Sequence, residues 1–286
     1  MNVDKNQSLI LTFLGGGNMA RALIAGLSAS KHLAESPYTL RVCDRNQNKL
    51  AAISEEYGNF INIETFEAAP DALQDADIVV LATKPQGLLT LLDEHKSMLS
   101  TKCLLVSIAA GVTVASIQGA SGCQRVVRAM PNTPAVVGKG ATGLYAADEV
   151  DTYHRTLAEA IFADSGVCLW VKEEALLAAV TAVSGSGPAY FFQIAEHMAR
   201  SGERLGLDYD DALMLATQTM RGAASMIASA AHERPAISPT RLRDQVTSKG
   251  GTTEQALLSF EENRLGEIID AAMAACAQRA DELAKI

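Results

Sequence analysis

In the first half of the chain, short apolar runs alternate with amphipathic stretches. Leu9–Leu14 is apolar and β-compatible, and a glycine-rich turn and a helix over Met19–Ser30 follow it. A second strand fits Thr39–Cys43, a helix Asn48–Tyr57 and a short strand Ile61–Ile63. Ile78–Ala82 is continuously apolar, the pattern of a strand buried on both faces. Leu88–Met98 reads as a helix, Leu104–Ile108 as another buried strand, Val114–Gln118 as a helix and Arg125–Ala129 as a strand. Thr142–Tyr145 and Cys168–Val171 are expected as edge strands. This alternation predicts a parallel, doubly wound α/β sheet.

Beyond Glu173 the texture changes. Residues 167–286 contain 23 alanines. Helical patterns run over Glu174–Val183, Ala189–Leu205, Asp210–Ala231, Pro239–Thr247, Thr253–Asn263 and Leu265–Ala284. Asp208 and Asp210 stand where a carboxylate can cap a helix start. Small apolar residues permit close helix packing. Segments such as 271–277 (AAMAACA) are apolar most of the way round, which predicts burial, in a domain this small against a second subunit. A domain boundary is expected near 166–173.

Composition narrows the picture. The 286 residues carry a net charge of −9, and hydrophobic residues make up 48% and aromatics 5%. Residues 1–166 hold 13 Lys and Arg against 17 Asp and Glu; residues 167–286 hold 11 against 16. Neither half is basic, which argues against nucleic-acid binding. The five cysteines form no CxxC and fit reduced, largely buried thiols of a cytoplasmic protein. MNVDKNQS lacks the layout of a signal peptide, and no apolar run reaches the ~20 residues of a membrane span.

Gly15-Gly16-Gly17-Asn18-Met19-Ala20 follows a predicted strand and opens a helix. In this GxGxxA, Gly15 permits the tight turn, Gly17 lets backbone approach a pyrophosphate, and Ala20 keeps the helix near the sheet. After the second strand the chain reads Cys43-Asp44-Arg45-Asn46. An Asp here accepts from a ribose 2′-OH and repels a 2′-phosphate; an Arg pairs with that phosphate. With both present, the motif leaves the choice of nicotinamide cofactor open. Ala82-Thr83-Lys84-Pro85-Gln86 and Ser107-Ile108-Ala109-Ala110-Gly111 follow further strands, where open parallel sheets bind ligands. Arg128–Pro134 forms a third such loop, stiffened by two prolines.

In the helical half, Ser184–Pro188 and Ser248–Thr253 each precede a helix, and either could offer N–H groups and hydroxyls to one carboxylate or serve as a plain turn and cap. His32, His95, His154, His197 and His232 show no metal-ligand spacing, and no nucleophile motif or P-loop occurs. Such a site relies on the cofactor for its chemistry.

Together FLGGGNMA (13–20), ATKPQ (82–86), SIAAGV (107–112), RAMPNTPA (128–135), VTAVSGSGPAYF (180–191) and LRDQVTSKGGTTEQAL (242–257) resemble pyrroline-5-carboxylate reductase over nearly the whole chain. The resemblance implies a Rossmann-like dinucleotide-binding domain over 1–168 and an all-α substrate-binding and dimerisation domain over 169–286. It implies reduction of L-1-pyrroline-5-carboxylate to L-proline, the last step of proline biosynthesis, by a homodimer or larger homo-oligomer. The cofactor is NADPH in most members, with NADH as the alternative. By the family pattern, Gly15, Gly17, Asn18, Met19, Arg45, Ala82, Thr83, Lys84, Pro85, Ile108, Ala109, Ala110 and Glu174 line the cofactor. Ser248, Gly250, Gly251, Thr252 and Thr253 hold the substrate. Lys249 departs from the family's usual proline, and Gly16 from its alanine or cysteine.

The implied substrate is a cyclic imine with a carboxylate, and it accepts hydride better once its nitrogen is protonated. Thr253 is the candidate proton donor or relay; the competing reading makes it a helix cap. Two other functions compete. One is a related dehydrogenase or imine reductase, acting on a β-hydroxy acid or another cyclic imine; the hydroxy-acid enzymes carry a catalytic lysine on the long helix after the nucleotide domain, and 184–199 has none. A non-enzymatic redox sensor would not need SKGGTTEQAL, which is intact.

Overall fold

The computed structural model describes residues 9–29, 38–233 and 236–284. MNVDKNQS, Ser30 at the end of the first expected helix, and His32 lie outside these residues. By contacts the chain divides into two compact units. One holds the residues up to Ser186 together with those from Ala275 onward; the other is Gly187–Ala274. Sequence texture and family pattern set the division at 168/169 instead.

The first unit is built on one eight-stranded sheet. Its strands are β1 (Leu9–Leu14), β2 (Tyr38–Cys43), β3 (Ile63–Phe66), β4 (Ile78–Leu81), β5 (Leu104–Ser107), β6 (Val126–Met130), β7 (Gly140–Ala146) and β8 (Gly166–Trp170). Their order is β3-β2-β1-β4-β5-β6-β7-β8. The pairs from β3 through β6 are parallel, β7 runs antiparallel to β6, and β8 is parallel to β7. The order reverses between β1 and β4, the switch point at which doubly wound sheets bind nucleotides. β4 and β5 are buried at every position, in keeping with the apolar IVVL of β4 and the LLV that opens β5; Ser107 at the end of β5 is a buried polar residue.

The helices of this unit are α1 (Asn18–Ser28), α2 (Gln47–Tyr57), α3 (Ala69–Leu73), α4 (Leu88–His95), α5 (Val114–Ser121), α6 (Thr152–Ala163) and α7 (Leu176–Val180). α1 buries Ala20, Leu23, Ile24 and Leu27 at helical spacing against a core that includes Phe13 and Leu40. Several sequence expectations are corrected, among them the 174–183 helix, which is α-helical only over Leu176–Val180. The third strand begins where Ile61–Ile63 was expected to end, and it pairs Glu64–Phe66 with Arg41–Cys43 at the half-exposed edge. The expected 88–98 helix ends at His95, and 96–98 tighten into a 3-10 turn. Ser184–Pro188 is not a loop: residues 181–185 wind as a π-helix closed by Ser186 N–H donating to the Thr181 carbonyl at 2.8 Å.

The second unit contains α8 (Gly187–Arg204), α9 (Tyr209–Ala230), α10 (Pro239–Gln245), α11 (Thr252–Glu262) and the first half of α12 (Leu265–Leu283). α8 packs on α9 through small residues. A Cβ on Gly202 would lie 2.8 Å from that of Ala212. Asp208 occupies the N-cap position of α9 without the expected side-chain bond. The buried residues of α8 and α9 are a glycine and four alanines, whereas Phe191, Phe192, Met214, Ile268 and Ile269 are exposed in the single chain. Among the described residues no helix is long and apolar enough to cross a membrane.

Candidate functional site

The carboxyl ends of β1, β2, β4 and β5 lie side by side, and their loops bring the expected cofactor residues together. Gly15 is held from both sides. Its N–H donates to the Cys43 carbonyl at 2.7 Å, and a Cβ in its place would lie 2.6 Å from the Ala82 carbonyl oxygen. Its φ of +109° suits glycine. At Gly17 a Cβ would meet nothing within 4 Å.

Gly17 also caps α1 without a side-chain bond, and the first intrahelical bond is Arg21 N–H to the Gly17 carbonyl at 2.9 Å. The N–H groups of Asn18, Met19 and Ala20 precede that bond. With the positive end of the helix dipole they form an anion cradle. Thr83 Oγ1, just past β4, is buried without a hydrogen-bond partner. A close backbone turn, open space before a helix N-terminus and an orphaned hydroxyl all fit a dinucleotide.

Ala82, Thr83 and Pro85 are partly buried and Lys84 is exposed. Past β5, Ala109 is buried, Ile108 partly so, and Ala110 exposed. Ala109 and Ala110 also line a cavity of about 430 Å³, together with Arg128, Met130, Glu174 and the C-terminal turns of α12. Glu174 Oε1 accepts from the Val114 N–H at 2.8 Å and from Arg128 Nη1 at 2.7 Å. The glutamate therefore ties the start of α5 to β6, and Arg128 compensates its charge at the cavity wall.

Arg45 is exposed on the turn between β2 and α2, and among the described residues it makes no ion pair. Its neighbour Asp44 accepts three hydrogen bonds. Oδ2 accepts from the Gly16 N–H at 2.9 Å and pairs with Lys49 Nζ at 3.0 Å, and Oδ1 accepts from the Asn46 N–H at 2.9 Å. Burial pushes the Asp44 carboxyl up, but the Asn46 and Gly16 N–H groups and the Lys49 ammonium outweigh it. The net effect holds the carboxyl below the usual aspartate value.

In the second unit, Ser248–Gly251 is a turn closed by Gly251 N–H donating to the Ser248 carbonyl at 2.9 Å. Thr252 and Thr253 are the first two residues of α11 and are exposed, as are Ser248 and Gly250. Gly251 is the N-cap residue, so Thr253 is not the cap. The N–H groups of Thr252 and Thr253 precede the first intrahelical bond, Gln255 N–H to Gly251 O. The Gly250 N–H, expected on a substrate, instead donates to Glu254 Oε2 at 2.7 Å.

Four residues have roles here that the sequence did not assign, although Arg128 and Asn132 stood within the expected third loop. Lys49 stands in the first turn of a helix, where the dipole disfavours a cation, and that was a usable signal. Glu254 stands three residues after the N-cap, the position from which a glutamate reaches back to orphan N–H groups. Asn132 fixes the third loop by donating to the Ser184 carbonyl at 2.9 Å and accepting from the Ala141 N–H at 2.8 Å. Arg128 is the fourth, paired with a glutamate 46 positions away.

This fold and cradle define a nucleotide-binding α/β protein of the Rossmann type joined to a helical unit. Residues 10–111 match the family described as NADP oxidoreductase, coenzyme F420-dependent, and residues 174–283 match pyrroline-5-carboxylate reductase dimerisation. The pyrroline-5-carboxylate reductase of Pseudomonas aeruginosa is 41% identical over 276 residues, covering 96% of this chain and 97% of that protein. That of Haemophilus influenzae is 37% identical over 278 residues, 97% and 98% of the two. A solved structure of a pyrroline-5-carboxylate reductase from Coxiella burnetii is 40% identical, with a TM-score of 0.88 over 98% of this chain and 100% of that one. The chain belongs to the pyrroline-5-carboxylate reductase family.

Proposed function

We propose that the protein reduces L-1-pyrroline-5-carboxylate to L-proline, the final step of proline biosynthesis, with NADPH as the preferred reductant. Family membership over nearly the full chain supports the reaction. The observation that carries the reading is the cradle at the end of β1, with a glycine pinned against Ala82 and free space at Gly17. When bound, the nicotinamide cofactor supplies the hydride.

The chain's own residues do the rest. The N–H groups at the start of α1 take the pyrophosphate, and the small residues after β4 and β5 let backbone approach ribose and nicotinamide. Ser248 and the first N–H groups of α11 hold the substrate carboxylate, with the Glu254–Gly250 bond fixing their turn. The Thr253 hydroxyl bonds the ring nitrogen and relays its proton. A threonine hydroxyl is a poor acid, so the proton originates in solvent and Thr253 orders its arrival. Positioning carries most of the acceleration, for which oriented intramolecular reactions give roughly 7–11 kcal/mol.

The protein self-associates through the helical unit, as a dimer or larger assembly. Phe192 alone is 69% exposed in the single chain, and the matched family segment is a dimerisation segment. All five cysteines are free thiols, which suits the reducing cytoplasm. Mixing purified protein with NADPH and pyrroline-5-carboxylate tests the reaction: the NADPH absorbance band is lost and proline accumulates. Cofactor binding without turnover would instead make the protein a sensor.

A further inference from the structure

A carboxylate at the end of the second strand ordinarily accepts from a ribose 2′-OH and repels a 2′-phosphate. Asp44 holds that position in this chain, yet both its oxygens are committed. Oδ1 takes the Asn46 N–H, and Oδ2 takes the Gly16 N–H and the Lys49 ammonium. Its side chain is 14% exposed and that of Lys49 45%. A ribose hydroxyl would have to share an oxygen that already accepts a hydrogen bond, on a side chain largely covered by these partners.

Lys49 stands where its own helix opposes a cation, because α2 begins only two residues earlier. Asn46 Oδ1 already accepts from the Asn48 and Lys49 N–H groups at 3.0 and 3.4 Å, so the cap is provided without the lysine. What the Lys49 ammonium adds is a positive charge 3.0 Å from Asp44. With it, the formal charges of Asp44, Lys49 and the exposed Arg45 leave one net positive charge at the turn. Without it they cancel, and the Asp44 charge is met only by the neutral N–H groups of Gly16 and Asn46.

We propose that Lys49 is a specificity-determining residue: it neutralises Asp44, turns that carboxylate into a strut for the glycine loop, and leaves the β2–α2 turn selective for a nucleotide with a 2′-phosphate bound by Arg45. This rests on the nicotinamide-cofactor reading above. Lys49 acts through Asp44 and through the field at the turn.

The test is isothermal titration calorimetry of NADP+ and NAD+ against the full-length wild type, Lys49→Met, Lys49→Arg and the double variant Asp44→Asn/Lys49→Met, each checked by circular dichroism and melting to be fully folded at the assay temperature. Wild type binds NADP+ more tightly than NAD+. Lys49→Met weakens NADP+ about five- to twentyfold and NAD+ less than about twofold, the range for a partly exposed charge near a phosphate. Lys49→Arg keeps the wild-type ratio, and removing the Asp44 charge in the double variant restores most of it. Equal weakening of both nucleotides by Lys49→Met, or an unchanged ratio, overturns the proposal while the cofactor reading stands. A wild type that binds NAD+ more tightly also overturns it. A wild type that binds neither nucleotide overturns the cofactor reading itself.

Discussion

Adding one methyl group at each of two nearby glycines should have opposite consequences. At Gly15 the new carbon would lie 2.6 Å from the Ala82 carbonyl oxygen and 2.8 Å from its carbon, all backbone of the strand end. The loop cannot retreat, because the Gly15 N–H is bonded to the Cys43 carbonyl on the other side. A non-glycine residue at φ +109° adds strain of about 1–3 kcal/mol, and the overlap about 1–3 kcal/mol more. Gly15→Ala should therefore cost about 2–6 kcal/mol, a large part of the roughly 5–15 kcal/mol that holds a protein folded. At Gly17, φ is −75° and ψ −179°, an extended conformation open to alanine, and no atom lies within 4 Å of the added carbon. Its weaker N-capping, about 1 kcal/mol, is offset by the ~0.4–1 kcal/mol gained from a stiffer unfolded chain. The methyl would, however, stand where the pyrophosphate must approach. Differential scanning fluorimetry without nucleotide should show Gly15→Ala melting at least ~3 °C below wild type and Gly17→Ala within ~2 °C. Calorimetry should show Gly17→Ala binding NADP+ at least about tenfold more weakly, roughly 1.4 kcal/mol. Wild-type melting of Gly15→Ala, or wild-type NADP+ affinity of Gly17→Ala, would refute the cradle as described.

Thr253→Val should lower kcat by about tenfold or more while leaving NADPH affinity nearly intact; unchanged turnover in steady-state assays removes the hydroxyl from proton transfer. Arg45→Ala should raise the KM for NADPH more than that for NADH, and equal effects would show that Arg45 does not contact the 2′-phosphate. The Asp44 carboxyl is held below its ordinary value in the folded protein, so its stabilisation is complete above the unfolded value near ~3.9 and is lost as pH falls through the folded value. Urea midpoints of wild type and Asp44→Asn should thus differ most near neutral pH and converge below about pH 4; a gap independent of pH would contradict the ion pair.

The parts of this fold that were legible in sequence are those specified locally. β4 and β5 are buried at every position, so their apolar runs could only be interior strands. The glycine turn before α1 was readable because a tight turn and a bare helix start need particular residue types at fixed spacing. β3 misled because it is an edge strand with Glu64 and Thr65 exposed, so its weak alternation lost to the neighbouring isoleucines. α6 was not expected from the sequence, although Asp151, whose carboxylate accepts from the His154 N–H, marks its start and Ala158, Ile161 and Phe162 recur at helical spacing. The π-helix over 181–185 has no local signature. It coincides with close approach across the fold: a Cβ on Gly185 would lie 2.8 Å from Met130 Cε. The site divides the same way. Which loops gather at the switch point of the sheet follows from strand ends and glycine spacing. Which charges are already spent does not, since Glu174 meets the Val114 N–H across 60 positions and Asp44 meets the Gly16 N–H across 28. The sequence shows Asp44 beside Arg45 and so leaves the choice of nucleotide open. Once the Gly16 N–H and Lys49 occupy that carboxylate, Arg45 is the exposed charge at the turn that makes no ion pair among the described residues.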